Sequence, residues 1–409
     1  MRKPKKHTIW SRARRAGRRL RKILREVDVS LGGISMKFAT DFMEEPLETR
    51  RGINPEDRSP FYESDENTLK KYYRGYDKST PFLNDMLYAD LIPFEIEGLK
   101  AVDSAAVKVS SVKVILEDRD YVVPKFLKKH QAAALDIMKK QGRLVWDDEN
   151  NGWENDRTAR LTANPKDGVF NCQPARYFDQ VGTNLTVDWA SGLLPENALT
   201  IRADIERSRE GKLLPLAESR LANTFGTAIF FFSSDLKREL VRERNTGKVV
   251  AIPDGGFHCT VSGVLMLDDD RQPGQHNFDF FMDGTHREIK RETGLDHDSG
   301  DYLIFPLAFA RELPRAGKPQ LFFMAISLVD DETLRQKCLQ APERHEFKGF
   351  QYDHSGRFPA VEEHERDHHK NYTYEGWAAW LLSNEFIELN EYALLKLVND
   401  HKVSRSTRR

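Results

Sequence analysis

The run Phe225 to Phe232 is the most restrictive stretch of this chain, because a segment so apolar is stable only as a buried strand within a sheet. Val249 to Ile252 and Val261 to Leu267 read as two more strands, and Gln320 to Ile326 as another. With glycines punctuating at Gly255-Gly256 and Gly263, residues 216–345 are expected to form one compact sheet domain. The change of style near Pro215 sets its start. Residues 29–215 instead alternate short β-type runs, such as Ala106 to Val109 and Val112 to Leu116, with helical runs such as Pro124 to Lys140. That alternation predicts an α+β domain. Within it, Asp147 to Lys166 is rich in Asn, Asp and Gly and reads as irregular loop, and Thr183 and Asn184 read as a turn or helix cap. After residue 345 a helical closing segment and basic tail run from 346 to 409, with Trp377, Trp380, Leu381, Phe386, Leu389, Leu394, Leu395 and Val398 as its packing face.

Charge narrows the functional classes. The chain carries 63 basic and 64 acidic residues, but twelve of the basic ones lie in residues 1–25 and four in the last nine. The remaining 47 face 64 acidic residues, so the body is acidic between basic ends. This excludes a uniformly basic nucleic-acid binder. Residues 1–28 form a basic arm in which Ile9, Ala13, Ala16, Leu20, Ile23, Leu24 and Val27 share one helical face. Such an arm suits a polyanion, either RNA or an anionic membrane surface, or docking on the acidic body; solvation alone is the plain alternative. Cys172, Cys259 and Cys338 are too far apart for a disulfide framework or a Cys-based zinc ribbon. With no apolar run of membrane-spanning length, a cytoplasmic location is expected.

The segment Arg287-Glu288-Ile289-Lys290-Arg291-Glu292-Thr293-Gly294-Leu295 carries the most chemistry. As a helix ending at Gly294 it sets Glu288 and Glu292 one turn apart on one face, with Arg291 beside them. Two carboxylates so spaced can share a hard cation, Mg2+ or Mn2+, together with the phosphates of a substrate. The segment resembles the second half of the Nudix box, Arg-Glu-aliphatic-any-Glu-Glu-any-Gly-aliphatic, matching at six of seven specified places: Arg287, Glu288, Ile289, Glu292, Gly294 and Leu295. A match this good arises by chance on the order of a few times in a thousand chains of this length. The resemblance covers roughly residues 221–345 and implies a Nudix-like α/β/α sandwich with a mixed sheet. The chain as a whole is then α/β, with an α+β domain and a basic N-terminal helix before the sandwich.

The resemblance further implies hydrolysis of a diphosphate linkage in a nucleoside-diphosphate-type molecule, with Glu288 and Glu292 on the metal and Arg287 holding the loop by pairing with a carboxylate. Three departures stand out. Arg291 replaces the first Glu of the paired Glu-Glu, Asp279 replaces the upstream Glu, and Pro273 stands at the leading Gly, with Gly274 next to it. Arg291 could thus bind phosphate in place of a metal. Arg311, Arg315 and Lys318, ahead of the apolar strand Gln320 to Ile326, are further candidates for phosphate or base contacts. Asp330, Asp331, Glu332, Glu343 and Glu346 are candidates for the further carboxylate that the family draws from a late loop. Glu292→Gln is expected to abolish hydrolysis and spare the fold, since it preserves side-chain shape.

Two other readings stand beside the hydrolase. One is a noncatalytic Nudix-fold module that binds nucleotides. The other is a zinc peptidase, since His364-Glu365-Arg366-Asp367-His368 fits the His-Glu-any-any-His pattern. Its polar surroundings favour a solvated segment instead. Homo-oligomer formation is open.

Overall fold

The computed structural model describes residues 62, 65–76, 87–147, 151–195, 198–244, 257–343, 347–352 and 372–406. The basic arm, the expected strand Val249–Ile252, Glu346 and the His364–His368 motif lie outside them. All the described residues belong to one compact unit over 52–358 and 367–409, and the expected boundary at residue 215 falls inside it.

Among the described residues, fifteen strands and six α-helices build a mixed α/β protein. The strands are β1 (Tyr88–Glu95), β2 (Val107–Lys108), β3 (Lys113–Leu116), β4 (Trp146–Asp147), β5 (Gly152–Trp153), β6 (Arg157–Leu161), β7 (Val169–Arg176), β8 (Gly226–Phe232), β9 (Glu239–Arg244), β10 (Phe257–His258), β11 (Val261–Val264), β12 (Gly274–His276), β13 (Tyr302–Glu312), β14 (Lys318–Ser327) and β15 (Phe347–Tyr352). The helices are α1 (Glu66–Tyr72), α2 (Lys128–Lys140), α3 (Tyr177–Val181), α4 (Asp279–Thr293), α5 (Asp331–Gln340) and α6 (Tyr374–Ser406).

The larger sheet runs β10-β9-β8-β14-β13-β1-β2, with β11 paired to β8 and β15 to β9. It is mixed: β8 and β14 are parallel, while β13 and β14 form a long antiparallel hairpin. The smaller sheet, β12-β3-β7-β6, is also mixed. Segments distant in sequence are interleaved. Tyr88 of β1 pairs with Glu312 of β13, and Gly274 of β12 pairs with Leu116 of β3. The shift in style near Pro215 therefore marks entry into the central strands, every residue of β8 and β14 being buried. The stretch read as loop, 147–166, contains β6, four of whose five residues are buried. Its Arg and Thr residues mask the pattern: Arg160 is buried with its guanidinium on Leu221 O, Ser219 O and Gln173 Oε1.

Successive residues of β8 face opposite ways. Ile229 and Phe231 join Phe281 and Ile289 of α4, Leu334 of α5, and Leu321 and Phe323 of β14 in one core. Each such side chain contributes about 1.5–3 kcal/mol on burial. Helix α6 packs against β8, β14 and β13, with Phe386 against Phe305 and the Trp380 indole donating to Glu239 at 2.6 Å. Thr183 and Asn184 are buried in structural bonds, to Asp179 O and to Asn223 and Arg315 O. Among the described residues no helix is long and apolar enough to cross a membrane.

Candidate functional site

Helix α4 carries the site, and its own sequence fixes where it stops. Gly294 adopts φ +70°, a left-handed conformation that favours glycine, and its N–H caps Lys290 O at 2.9 Å. A Cβ there would also sit 2.6 Å from Lys337 O, so the helix end is held tightly against α5. Within its last two turns, the buried face of α4 presents Glu288, Ile289 and Glu292 inward. Ile289 enters the core; the two carboxylates meet β11 at its glycine.

At Gly263 an added Cβ would lie 1.6 Å from Glu288 Oε1, so the absence of a side chain there makes the seat for this carboxylate. Glu292 is fixed by protein donors. Arg242 of β9 donates from Nη1 to Glu292 Oε2 at 2.6 Å and from Nη2 to Glu292 O at 2.7 Å, while the Ser262 amide donates to Oε1 at 3.0 Å. Both side chains of the Arg242–Glu292 pair are fully buried. Glu343, just beyond α5, completes the group: one carboxylate oxygen from each of Glu288, Glu292 and Glu343 lies within 4.8 Å of the others. The Glu343 amide donates to Arg291 O at 3.1 Å, which anchors that loop to α4.

The arginines of the motif take separate posts. Arg287 pairs with Asp268 and donates to Met266 O at 2.6 Å, tying the segment after β11 to the helix. Burial lowers its pKa, with Glu288 acting against that. Arg291 contacts Glu343 directly, with Asp156 at 3.3 Å and Glu154 at 3.7 Å. Burial opposes its charge, yet Glu343, Glu288, Asp156 and Glu154 together raise its pKa above the ordinary arginine value. Six carboxylates (Glu154, Asp156, Asp268, Glu288, Glu292, Glu343) thus face four guanidiniums (Arg242, Arg271, Arg287, Arg291), so acidic groups outnumber basic ones by two.

Arg311, Arg315 and Lys318 do not join this group; all three are buried. Arg311 donates to Gly317 O and Leu214 O and pairs with Asp90 at 3.1 Å. Arg315 and Lys318 both pair with Glu312, and Lys318 also bonds Gln320. Burial lowers the Lys318 pKa, with Glu312 opposing. The sheet register explains the separation. Gly263, under Glu288, is opposite Thr227, whereas Gln320 is opposite Gly226, above which Lys318 Nζ lies. Adjacent positions of β8 face opposite ways, so Lys318 and Glu288 lie on opposite faces of the sheet. The structure thus places Arg311, Arg315 and Lys318 in internal ion pairs rather than beside the acidic group.

Of the late-loop acids among the described residues, Asp330 caps α5 through Thr333, Asp331 pairs with Arg238, and Glu332 pairs with Arg335, while Glu343 stands at the site. Asp279, aligned with the upstream Glu, is exposed at the start of α4 and bonds Asn277. Arg242, Ser262, Glu154 and Asp156 had no distinguishing signal in the sequence. A second compact group, His258, Cys259 and Glu375, is buried, but Thr373 and Ser262 engage both His258 ring nitrogens, and Gln320 donates to Glu375. Comparison with protein-family models and with curated proteins returns no match.

Proposed function

We propose that this chain is a divalent-cation-dependent hydrolase that cleaves a diphosphate linkage in a nucleotide-containing substrate, through a Nudix-like α/β/α sandwich formed by α4 and α5, the larger sheet, and α6. The observation that carries the reading is the convergence of Glu288, Glu292 and Glu343 from two segments of chain, one being the box-like helix. Their donor set fits: hard carboxylate oxygens in negative surplus suit Mg2+ or Mn2+ and disfavour softer ions. Each carboxylate has about four lone-pair sites, so Glu292 can hold Arg242 and Ser262 and still accept a cation.

A cation bound there would neutralise the diphosphate and lower the pKa of the attacking water. The chain supplies the rest. Arg242 pairs with Glu292 and orients it; Arg287, through Asp268 and Met266 O, fixes the segment leading from β11; Gly263 leaves room for Glu288. Arg291, partly exposed and paired directly with Glu343 of the trio, is the residue to meet a phosphate. A second reading, nucleotide binding without hydrolysis, draws on one observation: Arg291 stands where the box has a glutamate and already neutralises Glu343.

The test is a screen of ADP-ribose, nucleotide sugars, dinucleotides and nucleoside triphosphates with Mg2+ or Mn2+, reading phosphate after a coupled phosphatase. Turnover that EDTA abolishes and Glu288→Gln lowers at least about 100-fold, the scale of losing one charge-stabilising group, supports the hydrolase. Metal-dependent binding without turnover selects the binding module. Neither binding nor turnover removes both.

A further inference from the structure

The two guanidiniums that neutralise the acidic trio are not equivalent. Arg242 is fully buried and fixed at both ends of its fork, on the Glu292 carboxylate and on the Glu292 carbonyl. Arg291 lies at the rim with 29% of its side chain exposed, and its ion-pair partners Glu154, Asp156 and Glu343 are carboxylates with 34%, 47% and 16% exposure. One of these, Glu343, belongs to the trio that can hold a metal ion. The Glu343 backbone is tied to Arg291 O, so its carboxylate stays in place whichever cation it meets.

We propose, resting on the hydrolase reading, that Arg291 is an exchangeable cation: a divalent metal takes Glu343 over from it, and the released guanidinium becomes the ligand for a substrate phosphate. A guanidinium and a divalent ion repel; Arg242 is locked in the core by its second bond to Glu292 O and stays, whereas the partly exposed Arg291 is free to leave Glu343 to the metal. Arginine matches phosphate oxygens with a planar fork, and Glu154 and Asp156 hold the freed side chain beside the trio until a phosphate displaces them. Metal and diphosphate then bind with positive coupling that passes through this chain's own residue. The glutamate-to-arginine departure from the box is thereby a substrate contact rather than a simple loss of a metal ligand.

The experiment measures free Mn2+ by electron paramagnetic resonance, with and without methylenediphosphonate, on the full chain. Arg291→Gln is expected to bind Mn2+ about tenfold more tightly alone and to lose about fivefold or more of the coupling to the diphosphonate. In metal-free buffer Glu343→Gln, which releases Arg291, is expected to bind methylenediphosphonate several-fold more tightly than the wild type. If Mn2+ binds both the wild type and Arg291→Gln equally, and Glu343→Gln gains no diphosphonate affinity, the exchange is overturned while the hydrolase reading stands. If neither the wild type nor Arg291→Gln binds Mn2+, both fall. Binding by Arg291→Gln alone supports the exchange and removes metal-dependent hydrolysis from the wild type.

Discussion

Replacing Glu292 by glutamine should cost the protein more than its function. The Arg242–Glu292 pair has no exposed side-chain surface, so removing the carboxylate charge leaves a guanidinium in the core against an amide. Glutamine has one acceptor oxygen, and two donors compete for it: Arg242 Nη1, 2.6 Å from Oε2, and the Ser262 amide, 3.0 Å from Oε1. Breaking a buried ion pair from one side costs about 3–5 kcal/mol. A compact unit of about 350 residues has an unfolding entropy of about 0.7 kcal/mol/K at its midpoint, so the melting temperature should fall by about 4–7 °C. Arg242→Met should lose a similar amount, and Arg242→Met with Glu292→Met should recover most of it, because apolar residues of similar volume often replace a buried pair without loss. Urea unfolding of the four proteins supplies the cycle. A Glu292→Gln protein as stable as the wild type, with no coupling in the cycle, would refute the pair and restore the expectation that glutamine spares the fold.

Gly263→Ala should push the Glu288 carboxylate from its seat, because the new Cβ would approach within 1.6 Å of it; Mn2+ affinity should fall at least about tenfold at a stability cost of about 1–3 kcal/mol, measured by calorimetry and thermal melting. Lys318→Met should lower stability by a few kcal/mol, at about the scale of a broken buried pair, and leave diphosphate affinity unchanged, since Lys318 serves Glu312 on the other face of the sheet; a selective loss of affinity would contradict that assignment. Glu385, half-buried in α6, has its pKa raised to about 7 by burial first, then by Glu388 and Asp103. Its folded pKa exceeds the unfolded one, so its contribution to stability is full below about pH 4.5 and is lost as pH rises through 7. Glu385→Gln should flatten that window and exceed the wild type by about 1–2 kcal/mol at pH 8, the figure discounted for partial exposure; urea midpoints between pH 4.5 and 8 decide.

The parts of the fold that repeat locally were readable. The apolar runs became β8, β11 and β14, the helical runs became α2 and α6, and Gly294 ends α4 where its spacing sets it. What pairs with what was not readable. The joining of β1 to β13 and of β12 to β3 depends on contacts more than a hundred residues apart, which no local period encodes. The site divides the same way. Glu288 and Glu292 follow from helical spacing, and Glu343 was one of five acids that nothing local ranked. Arg242 and Asp156 lie 50 and 135 residues from their partners on α4. Arg315 and Lys318 look like phosphate ligands by composition; strand parity reveals that Lys318 faces away, and the pairing of both with Glu312 places Arg315 in the same buried network.

The claim at the centre of this account is that Glu288, Glu292 and Glu343 together hold one divalent cation. Crystals soaked in Mn2+ and measured at the manganese absorption edge test it without reference to any substrate. The account predicts a single strong anomalous peak bounded by those three carboxylates, absent from Glu288→Gln crystals. An anomalous map with no peak there, or with its peak in the His364–His368 segment instead, would contradict it.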